Sequence, residues 1–304
     1  MKKIYAPYKI RKTVSAIGVF DGVHRGHQKI LKKTVALSSK MGMRSLTISF
    51  HPHPREVLNP DLKIPLLTST AHKHNLIEKI GMDLLLDLKF TDSLARMNAE
   101  DFVRKILMEK LDIRALVVGK NFLFGSKARG DFKLLKAMSE RYGFRLFGVE
   151  PLRINNAQVS STTIRRAIER GELRTASLML GRPVSVLGTV VRGRRVGREL
   201  GFPTANINPH HEAIPPSGVY AVNARVSGKT YGAILNIGTR PTFNIKKEPT
   251  IELYIFNFNR DIYGKDVEIM FKDKIRDEKK FSSAEALKKQ IKKDILKASH
   301  PRNI

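Results

Sequence analysis

The sequence contains no cysteine. That absence excludes a disulfide framework and any thiolate-held metal site, and nothing in the chain requires an oxidising compartment. Long apolar runs are missing too: none approaches the roughly 20 residues a membrane-crossing helix needs. The basic start MKKIYAPYKIRK has no apolar stretch of signal-peptide length behind it. The expectation is a cytoplasmic protein with no membrane partner. Acidic residues are scarce. Against 56 Lys and Arg stand 28 Asp and Glu, a formal charge of +28, where a small domain carries a magnitude of about 2–8.

Such a charge has two readings. A basic footprint attracts a phosphate backbone without reading sequence, so a nucleic-acid-binding protein is the alternative to an enzyme. However, the lysines are scattered over helix faces (Lys29, Lys32, Lys33; Lys288, Lys289, Lys292, Lys293) and are neither gathered in one block nor interleaved with aromatics, the pattern of a solvated surface. With 41% hydrophobic and 28% charged residues, the chain has the material for packed cores.

Its 304 residues suggest two domains, at about 150 residues each. In the first half, β-like and helix-like segments alternate, the signature of a doubly wound α/β fold with a parallel sheet. Strands are expected at Thr13 to Phe20, Arg44 to Phe50, Leu84 to Leu88 and Ala115 to Val118, and helices at Gln28 to Met41, Thr70 to Ile80 and Ala99 to Lys110. After Gly181 the pattern becomes all-β: strands at Val184 to Val191, Val219 to Val226, Thr230 to Asn236, Thr250 to Phe256 and Asp266 to Phe271, closed by a helix from Ser283 to Leu296. The boundary falls near 175–184, giving domains 1–178 and 179–304.

In Ile17-Gly18-Val19-Phe20-Asp21-Gly22-Val23-His24-Arg25-Gly26-His27 an apolar strand stops at Asp-Gly and a helix opens at about His27. Glycines permit close backbone approach, and a helix N-terminus offers free N–H groups and positive dipole to a phosphate. Two imidazoles three residues apart can donate hydrogen bonds to a phosphorus centre as negative charge builds there. Further along, Val159-Ser160-Ser161-Thr162-Thr163-Ile164-Arg165 places hydroxyls where they can cap a helix, and Arg165 where it can take phosphate oxygens. In the second half, GTVVRGRRVGRELGFPTAN (188–206) runs a strand into a Gly/Arg loop whose amides can cover phosphates. It lacks the Gly-Lys-Ser/Thr ending of a P-loop.

The first of these segments resembles the His-x-Gly-His signature of the nucleotidyltransferase superfamily, and in its longer form is similar to bacterial bifunctional riboflavin kinase/FAD synthetase (FMN adenylyltransferase). Phe50-His51-Pro52-His53-Pro54, Val118-Gly119-Lys120-Asn121-Phe122-Leu123-Phe124-Gly125 and the Ser160–Arg165 segment resemble further segments of the same family. Gly193 through Asn206 looks like the signature of riboflavin kinase, with Asn236-Ile237-Gly238-Thr239-Arg240-Pro241-Thr242-Phe243 and Arg276-Asp277-Glu278-Lys279-Lys280-Phe281 as supporting segments.

The resemblance implies a Rossmann-like nucleotidyltransferase domain followed by a six-stranded Greek-key β-barrel with a terminal helix. It also implies two reactions: phosphorylation of riboflavin to FMN, then adenylylation of FMN to FAD with release of pyrophosphate. ATP is a substrate of both, and Mg²⁺ or another divalent cation accompanies it. Carried over, His24, His27 and Glu252 are catalytic, Glu252 as the base for the riboflavin hydroxyl. ATP falls to Gly18, Phe20, Asp21, Gly22, Gly26, Ser160, Ser161, Thr162 and Arg165 in one half, and to Gly193, Gly197, Thr204 and Asn206 in the other. Flavin falls to Phe50, Pro52, His53, Pro54, Asn121, Phe122 and Phe124, and to Arg276 and Phe281. Thr204 and Asn206 hold the metal. Asn257 replaces an Asp of the family and is expected to shape its loop. A monomer or weak oligomer is expected. A nucleotidyltransferase acting on another small phosphate ester is disfavoured by the second domain.

Overall fold

The computed structural model describes residues 1–4, 10–61, 64–193, 201–239 and 249–299. By contacts the chain divides into two compact units: Met1–Leu66 with Thr70–Thr163, and Leu67–Ser69 with Ile164–Ile304. Residues 164–178, grouped with the first half on sequence, thus pack with the second unit.

The first unit is built on six strands: β1 (Lys2–Ile4), β2 (Thr13–Ile17), β3 (Arg44–His51), β4 (Leu84–Lys89), β5 (Ile113–Gly119) and β6 (Arg145–Val149). Their order is β1-β4-β3-β2-β5-β6, and every neighbouring pair is parallel. Strand β2 is buried along its whole length, as a strand covered on both faces must be. Side-chain alternation divides the core in two. Ile17, Leu46, Ile48, Leu84, Leu86, Leu116 and Val118 pack with Val103, Ile106, Leu107 and Leu135. On the opposite face, Ala16 and Leu85 meet Leu31 of helix α1 (Arg25–Lys40) and Leu76 and Ile77 of helix α2 (Thr70–Lys79), while Val14, Ala115 and Val117 pack with Ile30 and Leu37 of α1. Helices on both faces of a parallel sheet make the doubly wound α/β arrangement expected from the sequence.

Two differences from the sequence reading bear on function. The strand expected to reach Phe20 ends at Ile17, because Phe20 turns left-handed (φ 54°) and Asp21–Val23 form a tight helical turn. The helix expected from Gln28 starts at Arg25, capped by His24. The run Ala99–Asp101 continues over Phe102–Lys110 with wider π-type bonding, in which Leu111 N–H donates to the Ile106 carbonyl at 3.1 Å. Strands β1 and β6 and helix α3 (Phe132–Tyr142) are additions to the reading. A short hairpin, β7 (Arg153–Ile154) and β8 (Ala157–Gln158), leads into helix α4 (Ser161–Glu169).

In the second unit, β9 (Ser185–Val191), β10 (Ala205–Asn208), β11 (Gly218–Val226), β12 (Lys229–Thr239), β13 (Pro249–Ile255) and β14 (Asp266–Arg276) close into a barrel in the order β10-β13-β12-β11-β14-β9. Its pairings are antiparallel. Strand β14 returns beside β11, which gives the β14-β11-β12-β13 order of a Greek key. The terminal helix α5 (Ala284–Ser299) lays Ile291, Ile295 and Ala298 against Ala221, Ile234, Tyr254 and Phe256. It is fixed by an ion pair: Asp294 accepts from Arg276 Nε and Nη2, each at 2.9 Å, and from Gln290 at 2.8 Å. Asp294 is 1% exposed there, so removing either partner strands a buried charge.

Candidate functional site

Strand order in the first unit reverses about β2. The chain moves outward to β3 and β4 on one side, then crosses to β5 and β6 on the other, so the ends of β2 and β5 mark the topological switch point where such sheets bind ligands. A cavity of about 360 Å³ opens there. Gly18, Phe20, His24, Gly26 and His27 line it after β2, Gly119, Asn121, Phe122 and Leu123 after β5, and Ser160, Ser161 and Thr162 at the start of α4. The first turns of two helices, α1 and α4, therefore share one cavity. Their free N–H groups and dipoles favour an anion.

The imidazoles are held closely. His24 Nδ1 accepts from the His27 backbone N–H at 3.3 Å, closing the N-terminus of α1; in that role Nδ1 carries no proton. The two rings stack with centroids 3.6 Å apart and planes 17° off parallel, and Phe20 meets His27 edge-on at 5.2 Å. A Cβ on Gly26 would press on the His24 ring at 3.2 Å, so the intervening residue must be small. Burial, then the neighbouring His24 and Lys73, push the His27 pKa well below its ordinary value. Among the described residues, the buried Nδ1 of His27 has no hydrogen-bond partner. His27 also lines the cavity, and a neutral imidazole keeps one ring N–H with which to donate.

This has a consequence for stability. An unfolded chain takes up the His27 proton near pH 6.5, whereas the folded chain resists it. Stability is therefore intact above that pH and falls as pH drops toward the lower, folded value. In urea unfolding of the full chain from pH 7.5 to 5.5, His27→Gln should lose less stability than the parent.

The remaining residues read from the sequence divide sharply. Ser160 caps α4 through Thr163 N–H at 3.2 Å, and Ser161 Oγ donates to the Asp21 carbonyl at 2.9 Å, tying the two phosphate-type turns together. Asp21 and Gly22 are buried in the turn behind the cavity. Phe122 lines the cavity and stacks on Phe124 at 5.6 Å, while Phe124 is buried in the core. Phe50, Pro52, His53 and Pro54 do not line it, although Arg55, the next residue, does. Phe50 packs on the core edge-on to Phe90, and His53 caps the short helix Pro54–Leu58 through Arg55 N–H at 3.1 Å. Arg165 is buried and does not line the cavity.

In the barrel, a second cavity of about 350 Å³ is lined by Pro203, Thr204 and Ala205, by Leu253 and Ile255 of β13, and by residues Phe258 to Tyr263. Glu252 lies between the buried Ile251 and Leu253, so pleating turns it to the opposite face of the strand. There it stands directly across from Asn206 on β10 and from Asn236 on β12. Carboxylate and amides form one row over three strands, at the side-chain spacing of about 5 Å that opposed residues have. Gly193 folds over this row: a Cβ there would run into the Asn206 amide. Arg276 is engaged by Asp294 and lies over the Phe281 ring at 5.6 Å. Asn257 takes a left-handed φ of 52°, a conformation Asn tolerates. Gly197 and residues 240–243 lie outside the described residues.

The sequence reading missed three groups. Leu123 is 58% exposed at the rim of the first cavity, and its place between two phenylalanines was the available signal. Residues 258–263 line the barrel cavity from a loop with no chemical signature. The buried Lys73 on α2 and the half-buried Asp87 on β4 are a pair that only tertiary packing brings together, with Nζ 3.8 Å from the carboxylate.

Residues 7–163 match the FAD synthetase family and residues 180–301 the riboflavin kinase family. The chain is 38% identical to the bifunctional riboflavin kinase/FMN adenylyltransferase of Buchnera aphidicola subsp. Schizaphis graminum, over 97% of each chain. It is 37% identical to that of Bacillus subtilis, over 94% of this chain and 92% of the relative. A crystal structure of a macrolide-efflux protein from Streptococcus pneumoniae, 29% identical, superposes with a TM-score of 0.85 over 98% of this chain and 96% of that one. Among the described residues no helix is long and apolar enough to cross a membrane. With both halves matched in order and relatives similar along nearly their whole length, the chain belongs to the bifunctional riboflavin kinase/FMN adenylyltransferase family.

Proposed function

We propose that residues 179–304 phosphorylate riboflavin to FMN and residues 1–178 adenylylate FMN to FAD, each with ATP. The observation that carries this reading is a pair of separate cavities, one at the switch point of the sheet and one at the barrel, each beside residues suited to phosphate.

In the first cavity, the FMN phosphate attacks the α-phosphorus of ATP in line and pyrophosphate leaves, so no covalent enzyme intermediate is required. The amides opening α1 and α4 hold triphosphate oxygens. His24 and His27 donate to the oxygens of the α-phosphate as charge develops on them, the role of preorganised donors aimed at a transition state. Phe122 and Leu123 offer apolar surface to a ring system at the rim.

At the barrel, Glu252 takes the proton of the riboflavin 5′-hydroxyl as that oxygen attacks the γ-phosphorus. The Thr204 hydroxyl and the Asn206 amide oxygen are hard oxygen donors, fitting a magnesium ion that keeps phosphate and water in its other positions. Bound there, the ion would neutralise charge on the transferred phosphoryl group. Thr204 lines the cavity and directly precedes β10, on which Asn206 faces Glu252 of β13.

Incubating the purified chain with riboflavin, ATP and Mg²⁺ and separating the flavins by chromatography tests the reading. FMN should appear first and FAD after it. A chain that yields neither overturns it, and one that stops at FMN removes the first half.

A further inference from the structure

Lys73 is a buried lysine, 6% exposed, on the face of α2 turned toward the sheet. Its Nζ donates to Ser49 Oγ at 2.7 Å, and Ser49 Oγ donates in turn to the Val19 carbonyl at 3.3 Å. Val19 is the last residue before the turn that carries the histidines. That turn is strained: Phe20 (φ 54°) and Val23 (φ 39°) are both left-handed without being glycine, and the second is β-branched, for which the conformation is an outlier. Such backbone persists only where its surroundings over-determine it.

We propose that Lys73 is a positioning residue for adenylyl transfer, holding through Ser49 the turn that sets His24 and His27 against the reacting phosphate. The inference rests on the assignment of that reaction to the switch-point cavity. The charges around Lys73 account for a buried ammonium there. Asp87 on β4 lies 3.8 Å away, and Asp21 of the turn also favours the charge. Asp87 is itself bonded to His74 and feels His51 at the end of β3. Burial lowers the Lys73 pKa, against the pull of both carboxylates, and Lys73, together with the neighbouring His24, disfavours protonation of His27. One ammonium thus acts on the histidine pair twice, mechanically through Ser49 and electrostatically across the buried space.

Lys73→Met keeps the stem and removes the charge. It should lower kcat for FAD formation by about tenfold to hundredfold, the scale of an ångström-level misplacement, with KM for ATP and FMN little changed. The His27 ring titration, followed by NMR, should move to higher pH. Lys73→Arg should return that titration toward the parent, and Ser49→Ala should lower kcat without moving it. Riboflavin phosphorylation in the same chains reports an intact barrel, and thermal unfolding reports the folding of the first unit. The proposal is overturned if Lys73→Met leaves kcat and the His27 titration unchanged, or if it lowers FAD formation only in step with thermal stability. His27→Ala run in parallel separates the two levels: if FAD formation survives that change, the cavity assignment has failed rather than the role of Lys73.

Discussion

His27→Ala should lower FAD formation from FMN by at least the 10²- to 10³-fold typical of losing one preorganised donor to a developing oxyanion, while FMN formation from riboflavin continues. The expectation follows from where the ring sits. His27 stacks on His24 and meets Phe20, and its pKa is pushed down by burial first and then by His24 and Lys73. Alanine removes the donor and opens space beside Phe20, which is fully buried, so His27→Gln belongs in the same experiment as the variant that keeps a polar donor. The measurement is flavin chromatography with riboflavin or FMN supplied. Accumulating FMN with no FAD is the predicted pattern. Normal FAD output would remove the histidines from the chemistry.

Much of this site could be read before folding because its parts are local. Gly18 to His27 is one continuous stretch in which a strand ends, a turn tightens and a helix opens, and each step has its own residue signal. Ser160 to Thr162 likewise announces a cap in three hydroxyls. What sequence could not supply was convergence. That α1 and α4 open onto one cavity depends on strand order, and the reversal about β2 is a property of the whole sheet. Helix α3 was missed although Asp131 caps it at 2.8 Å through Leu134 and Gly143 ends it at φ 73°; the signals were present in a stretch to which no element was assigned. The Phe50–Pro54 segment was grouped by its motif alone, yet the fold spends Phe50 on the core and His53 on a helix cap, leaving Arg55 to reach the cavity. Lys73 was invisible in principle, since a lone lysine on an amphipathic helix is normally a surface residue.

Glu252→Gln should abolish phosphorylation of riboflavin, by about 10²- to 10⁴-fold, the range for loss of a positioned general base. Glutamine preserves the volume and an acceptor oxygen but cannot take the hydroxyl proton, and in the row of Asn206, Glu252 and Asn236 it would turn the one carboxylate into a third amide. Its neighbours Ile251 and Leu253 are buried and unaffected, so the barrel should keep its stability. With riboflavin as the supplied flavin neither product forms; with FMN supplied, FAD forms at the parent rate. The defect is thus the mirror image of that in His27→Ala. A mixture of the two variant chains should then convert riboflavin to FAD, because FMN released from the intact barrel of one chain is substrate for the intact cavity of the other. If the mixture stays inactive while each chain performs its own remaining half-reaction, FMN does not pass through solution between the sites. Should Glu252→Gln phosphorylate riboflavin normally, the base lies elsewhere on the barrel, and residues 258–263 at the cavity, Asp261 first among them, become the place to look.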